Sequence, residues 1–297
     1  MTAPWRPAGA LAGARAAPLL GAIMVSVLVS SLGSLTGCAP SLATLQPAHV
    51  APRGHLQVAA GLEVAVPTGT LVNAVDAGRS LAGAGQSQSL SAEQEGRLFD
   101  AGVTFAASPV AVVPHFALAF GILDRTEVGL RYTGDAWRLG GRYQLLAHER
   151  DPLDMVVGLG IARAATAVPV GDVLPVLSVD DFTRWTGDLS LLVGTSRSWF
   201  RVWAGPKLVY TRFDTRLRAE LYMNEQQLAT FEGHGTYYGG QGGVALGYQK
   251  LFLGVELTLM ELSGTASTSV TTLASGARTT DISGFVVYPA VALMGEF

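Results

Sequence analysis

The residues in this chain that could do chemistry are few and scattered. Cysteine occurs once in 297 residues, as Cys38 in the stretch Ser34-Leu35-Thr36-Gly37-Cys38-Ala39-Pro40. One thiol cannot close an internal disulfide, and a zinc site needs more soft ligands than this chain offers. Cys38 is therefore a free thiol, a nucleophile or a point of covalent modification. The five histidines are His49, His55, His115, His148 and His234; none lies in an H-E-x-x-H pattern or at the spacing of helix-borne metal ligands. There is no G-x-S-x-G, and "GTSRS" at Gly194 lacks the final glycine. Asp180-Asp181 reads as a solvated pair in a loop. "GAGQ" and "GGQGG" are glycine-rich, yet neither forms the turn before a phosphate-binding helix. The sequence thus predicts no catalytic set, no metal and no cofactor, and a protein that is not an enzyme.

The surroundings of Cys38 favour modification. Met1 to Pro18 carries Arg6 and Arg15 and no acid, and Leu19 to Leu35 is an apolar run of about 17 residues. With small residues at its end, residues 1–37 have the layout of a secretory signal. Leu35-Thr36-Gly37-Cys38 resembles the bacterial lipobox. That resemblance implies that Cys38 receives a diacylglycerol and an amide-linked acyl chain and becomes the N-terminus. Each buried methylene adds roughly 0.8 kcal/mol of membrane affinity, so several chains hold durably. Ala39, where Asp would resemble an inner-membrane retention signal, implies sorting to the outer membrane. Residues 38–53, rich in proline, then read as a lipidated periplasmic tether. The partners expected are the lipoprotein-processing machinery and outer-membrane lipid.

Positioning elements come from the remaining residues, about 260 of them, enough for one large domain. Only 14% of the chain is charged, Gly numbers 36, and the net charge of −3 argues against a nucleic-acid partner. Mean hydropathy is positive, but no second apolar run reaches the roughly 18 residues of a spanning helix. From His115 onward the period is two. "EVGLRY" sets Val128, Leu130 and Tyr132 opposite Glu127, Gly129 and Arg131. "WRLGGRYQL", "FRVWAGPKLVY" and "LFLGVELTL" repeat the pattern over about nine residues each, the length of a tilted strand in hydrocarbon.

Strands are expected near 54–66, 113–122, 126–133, 137–147, 153–166, 184–195, 199–211, 236–247, 251–263 and 282–297. Their connections alternate between tight turns and the long segments Ala167–Thr183, Arg212–Gly235 and Gly264–Asp281, read as loops. The fold class predicted is all-β: an antiparallel transmembrane β-barrel over 54–297 with about ten strands, in a range of 8–12. A short helical insertion, 71–112, follows the first strand, with Ser91 to Gln94 fitting a capping box.

"FVVYPAVALMGEF", which places Phe285, Val287, Val291, Leu293 and Phe297 on one face, resembles the last strand of bacterial outer-membrane β-barrels. By that resemblance Phe297 is the signal read by the barrel-assembly machinery. "GILDRTEVGLRY" resembles hairpins of outer-membrane transporters, a group that includes aromatic-hydrocarbon channels. In such a barrel Trp137, Tyr143, Phe200, Tyr210, Tyr248 and Phe285 face lipid. Glu127, Arg131, Arg138, Arg142, Asp188, Arg201, Lys207 and Glu256 face the lumen as structural filling. The function expected is a non-catalytic envelope or surface-interaction role for a lipid-anchored barrel in the bacterial outer membrane, N-terminus periplasmic. The alternatives are a narrow transporter of small solutes, with 71–112 as a lid, and a soluble lipocalin-like binding protein on a lipid tether. No substrate or small-molecule ligand is legible.

Overall fold

The computed structural model describes residues 40–69, 111–134, 136–147, 151–168, 177–221, 224–270 and 277–297. Ten strands account for most of them: β1 (Leu56–Pro67), β2 (Ala111–Leu123), β3 (Thr126–Tyr132), β4 (Ala136–Leu146), β5 (Asp154–Val168), β6 (Leu177–Ser196), β7 (Phe200–Leu221), β8 (Asn224–Tyr248), β9 (Leu251–Val270) and β10 (Ala277–Glu296). Each pairs antiparallel with its neighbours in the chain, and β1 pairs with β10 to close the barrel. At that seam Leu56 and Phe297 exchange both backbone hydrogen bonds, each 2.9 Å. Closure leaves no unpaired edge, which is what allows strands to stand in lipid. Following paired residues once round from Leu56 leads just past Pro67 on the same strand. That is a stagger of roughly 12 residues, which tilts the strands by about 40°.

The outward side chains rule out the soluble reading. Leu253, Val255 and Leu257 are 58%, 51% and 45% exposed, and Leu159, Ile161, Leu189 and Leu208 are exposed with them. Charged groups take the interior: Glu63, Glu127, Arg142, Arg201 and Glu256 are all buried. A barrel that faces lipid requires this inversion, and a lipocalin-like fold requires its opposite. On this geometry Val255→Arg puts a charge in mid-wall hydrocarbon, at about 2–4 kcal/mol. The expected result is a strongly reduced yield of the form that resists SDS until heated; a normal yield would show that the outer face is not lipid-facing.

Higher up the wall the pattern reverses again. On β9 the outward row runs Leu251, Leu253, Val255, Leu257, Leu259 and then turns polar at Glu261 and Ser263. Glu232, His234, Asp281 and Ser283 are exposed at similar heights on β8 and β10. The inward row there becomes apolar, with Phe182, Phe213, Tyr237, Met260, Leu262 and Ile282 in one buried cluster. Tyr210, Trp185, Tyr238 and Phe285 lie exposed where the outer face changes character, as an interfacial aromatic band does. Above that band the barrel is a water-soluble β structure with an ordinary core.

This upper part corrects the expected boundaries. Most of the three segments read as long loops continues the strands, so that β7 runs to Leu221 and β8 begins at Asn224. The single apolar-out signal stops at the membrane surface, and beyond it polar residues alternate with a different partner, so the sequence loses its mark of a lipid-facing strand. β3 and β4 stay short, 7 and 11 residues against 25 for β8. Among the described residues the rim of the barrel is therefore steeply uneven, lowest at the β3–β4 connection, where the Tyr132 and Trp137 rings meet at a tilt, 4.8 Å between centroids. The expected helical insertion 71–112 lies outside the described residues apart from Ala111 and Val112, which begin β2.

Candidate functional site

The lumen is not empty: the chain's own residues 40–53 run up through it. Composition had placed this stretch outside the fold as a periplasmic tether. Instead Leu42, Ala43, Leu45, Ala48 and Ala51 are among the most buried residues of the protein. The reversal is made at Gly54, whose φ of 79° lies in the left-handed region, where a side chain would be strained. Gly54 N–H donates to the Gly121 carbonyl at 2.8 Å, and His55 N–H to the Pro52 carbonyl at 2.9 Å. The chain thus folds back from the start of β1 into the end of the barrel that carries the tight turns. Proline-rich sequence suits this path, because an extended segment with no neighbouring strand has no ladder partners to lose.

A lone extended segment still has backbone groups to satisfy, and burial makes an unmet one cost about 1–3 kcal/mol. The luminal charges meet them. Glu127 accepts from Ala51 N–H at 2.7 Å. Arg142 donates to the carbonyls of Pro47 at 2.7 Å and His49 at 3.0 Å, and to Glu127 at 2.5 Å. Glu256 takes the N–H groups of Thr44 and Leu45 at 2.6 and 2.9 Å and the Trp203 indole at 2.9 Å. Lys207 Nζ donates to the Leu42 carbonyl at 2.5 Å. Higher still, Arg131 donates to the Ala43 carbonyl and Ser41 Oγ, Glu63 accepts from Ser41 Oγ at 2.6 Å, and Tyr288 O–H donates to the Pro40 carbonyl at 2.8 Å.

Of the eight expected lumen residues, Glu127, Arg131, Arg142, Lys207 and Glu256 grip the segment directly. Arg201 acts through Glu296, which it meets with two bonds of 2.6 Å. Arg138 and Asp188 pair with each other at 2.6 and 2.7 Å. Sequence reasoning passed over Glu63, Gln241, Tyr288 and Glu296, although Glu63 alternates with outward residues in "HLQVAAGLEVAV". Space for all this comes from small inward residues: at Gly243 a Cβ would strike the Trp203 ring that points at Glu256.

One arrangement has the members of a nucleophilic relay. Ser196 Oγ lies 2.7 Å from His49 Nδ1, and His49 Nε2 lies 2.7 Å from Glu296 Oε1. Serine, imidazole and carboxylate in line is the grouping that activates a hydroxyl. Here Glu296 also holds Arg201 and accepts from Gln57 at 2.9 Å, and the histidine belongs to the inserted segment. The arrangement ties the lower part of the segment to β6 and β10. His115, fully buried, has no hydrogen-bond partner for either ring nitrogen; Nδ1 stands 3.6 Å from Glu63. Among the described residues no group of three or more His, Cys, Asp or Glu is placed to hold a metal.

Closed ten-strand wall, apolar exterior, aromatic band and charged interior together decide the class. The chain is a transmembrane β-barrel. No family model matches the sequence, and no curated protein matches it. Among solved structures it is similar to the outer membrane protein OprG from Pseudomonas aeruginosa, with 10% identity over 85% of this chain and 99% of that one, at a TM-score of 0.37. The outer membrane protease OmpT from Escherichia coli is similar at 9% identity, over 82% and 95% of the two chains and a TM-score of 0.39. A major outer membrane protein from Thermus thermophilus is similar at 11% identity, over 82% and 99% and a TM-score of 0.36. The likeness is one of architecture.

Proposed function

We propose that this barrel is a sealed, lipid-anchored protein of the bacterial outer membrane with a non-catalytic envelope or surface-interaction role. The observation that carries the reading is the filled lumen: residues 40–53 occupy the membrane-spanning part, and the apolar cluster around Tyr237 and Met260 occupies the part above. A narrow transporter would need the path that these residues take. The tight-turn end is periplasmic by the rule that inner turns are short, which leaves the tall sheet of β6–β10 projecting from the cell as the surface offered to partners. Phe297 at the seam serves the barrel-assembly machinery, and Cys38 is the lipidation point for the lipoprotein-processing machinery.

Two measurements test it. The purified barrel should show no steady conductance in planar bilayers, and a persistent open channel would overturn the sealed reading. A serine-directed fluorophosphonate should leave Ser196 unlabelled, while Ser196→Ala lowers the heat-shift temperature by a few degrees through loss of one hydrogen bond of about 1 kcal/mol. Labelling that Ser196→Ala abolishes would make the His49 relay catalytic.

A further inference from the structure

The inserted segment has a direction, and the direction has a consequence for whatever precedes it. Arg53 and Gly54 lie at the tight-turn end. Ala51, Pro47, Thr44, Leu42 and Pro40 then meet wall residues at steadily greater height, ending at Tyr288, three residues below the interfacial Phe285 on β10. Tyr288 is nine residues from Phe297 along a strand tilted near 40°, so the Pro40 carbonyl stands about 20 Å above the turn end. Two residues of chain reach at most roughly 7 Å. Cys38 therefore cannot return to the turn-side leaflet while Pro40 keeps this place.

The wall beside Pro40 is the low one. Pro40 and Ser41 share a cleft with Thr133 and Ala136, the two ends of the β3–β4 connection. Beside them in the chain, the Tyr132 and Trp137 rings meet at a tilt, and Trp137 is 57% exposed. Elsewhere the way is closed by the apolar cluster that includes Leu42, Tyr237, Met260 and Tyr288. Among the described residues the rim is lowest at this connection, and Pro40 lies next to it.

We propose that residues 40–53 are a transmembrane leader threaded through the barrel from the tight-turn end, so that Pro40 stands on the cell-surface side and the outer leaflet, not the periplasmic one, is within reach of the residues joined to it. This rests on the outer-membrane orientation proposed above. If Cys38 is acylated, the outer leaflet is the one its chains can enter. Lumen threading and anchorage in the periplasmic leaflet exclude each other. An acylated end cannot be drawn through a packed lumen, so the barrel closes round the segment, by pairing β1 with β10, after the modification is made.

Two experiments on the full-length protein in whole cells test this. The double variant Thr44→Cys/Gln241→Cys, made in a Cys38→Ala background, joins positions whose side chains touch at 2.5 Å. It should be joined in the assembled barrel by a short bismaleimide cross-linker, which spans the length the Gln241 side chain covers, and failure to cross-link would overturn the threading. A short epitope inserted between Ala39 and Pro40 should be bound by antibody, and cut by added protease, on intact cells. Binding only after the outer membrane is permeabilised would overturn the surface exit. Mass spectrometry of the N-terminal peptide separates the underlying anchor reading. An unmodified Cys38 with an exposed epitope would refute lipidation and leave the threading standing, whereas an acylated Cys38 with a hidden epitope would refute the exit alone.

Discussion

Excising residues 41–51 should turn a silent barrel into a conducting one, because it empties the membrane-spanning lumen and takes Leu42 out of the apolar cluster above it. The ten-strand ladder does not depend on the segment: every strand pair, the β1–β10 seam included, is made by wall residues. What is lost is a set of roughly a dozen hydrogen bonds, each about 0.5–1.5 kcal/mol net. Arg131, Arg142, Lys207, Glu127 and Glu256 would then face a lumen wide enough for water, which solvates them in place of peptide groups. The expected readout is stepwise conductance in planar bilayers where the intact protein gives none, together with a heat shift that survives at a lower temperature. A folded, heat-modifiable excision variant without conductance would mean that the upper apolar cluster, around Phe213, Tyr237 and Met260, is the true seal.

Arg142→Met should be the most damaging single change in the wall. Its guanidinium joins Glu127 to two carbonyls of the inserted segment, and Glu127 is 1% exposed. Removing one partner of a buried ion pair costs about 3–5 kcal/mol, because the other charge is left without compensation. The double variant Arg142→Met/Glu127→Gln should recover a large part of that loss, since a neutral amide tolerates the site and still accepts from Ala51 N–H. Unfolding in urea from lipid vesicles measures both. Equal stability of the single and double variants would show that Arg142 matters for its contacts with the segment and not for its charge.

How much of this was legible can be judged from particular residues. Leu251 to Leu259 announces a lipid-facing strand, because hydrocarbon accepts only apolar side chains on one face and the pleat places alternate residues there. Glu127, Arg142 and Glu256 follow as inward residues from the same period of two. Glu232 and His234 announce nothing, since above the membrane water takes the outer face and the inner face becomes an ordinary core. Pro40 to Arg53 was the least legible stretch. Its prolines and lack of period describe an extended chain without partners equally well in the periplasm or inside a barrel.

By itself the sequence determined the class of wall, the number of strands and the side of the wall on which each charge falls, because alternation is a local property of the chain. Only the tertiary structure decided what those charges are for. Ala51 and Glu127 are 76 residues apart, and Thr44 and Glu256 are 212 apart. A peptide backbone offers the same donors and acceptors whatever its side chains, so its partners leave no pattern in the sequence to be found. They appear only when closure of β1 on β10 wraps the wall around the segment.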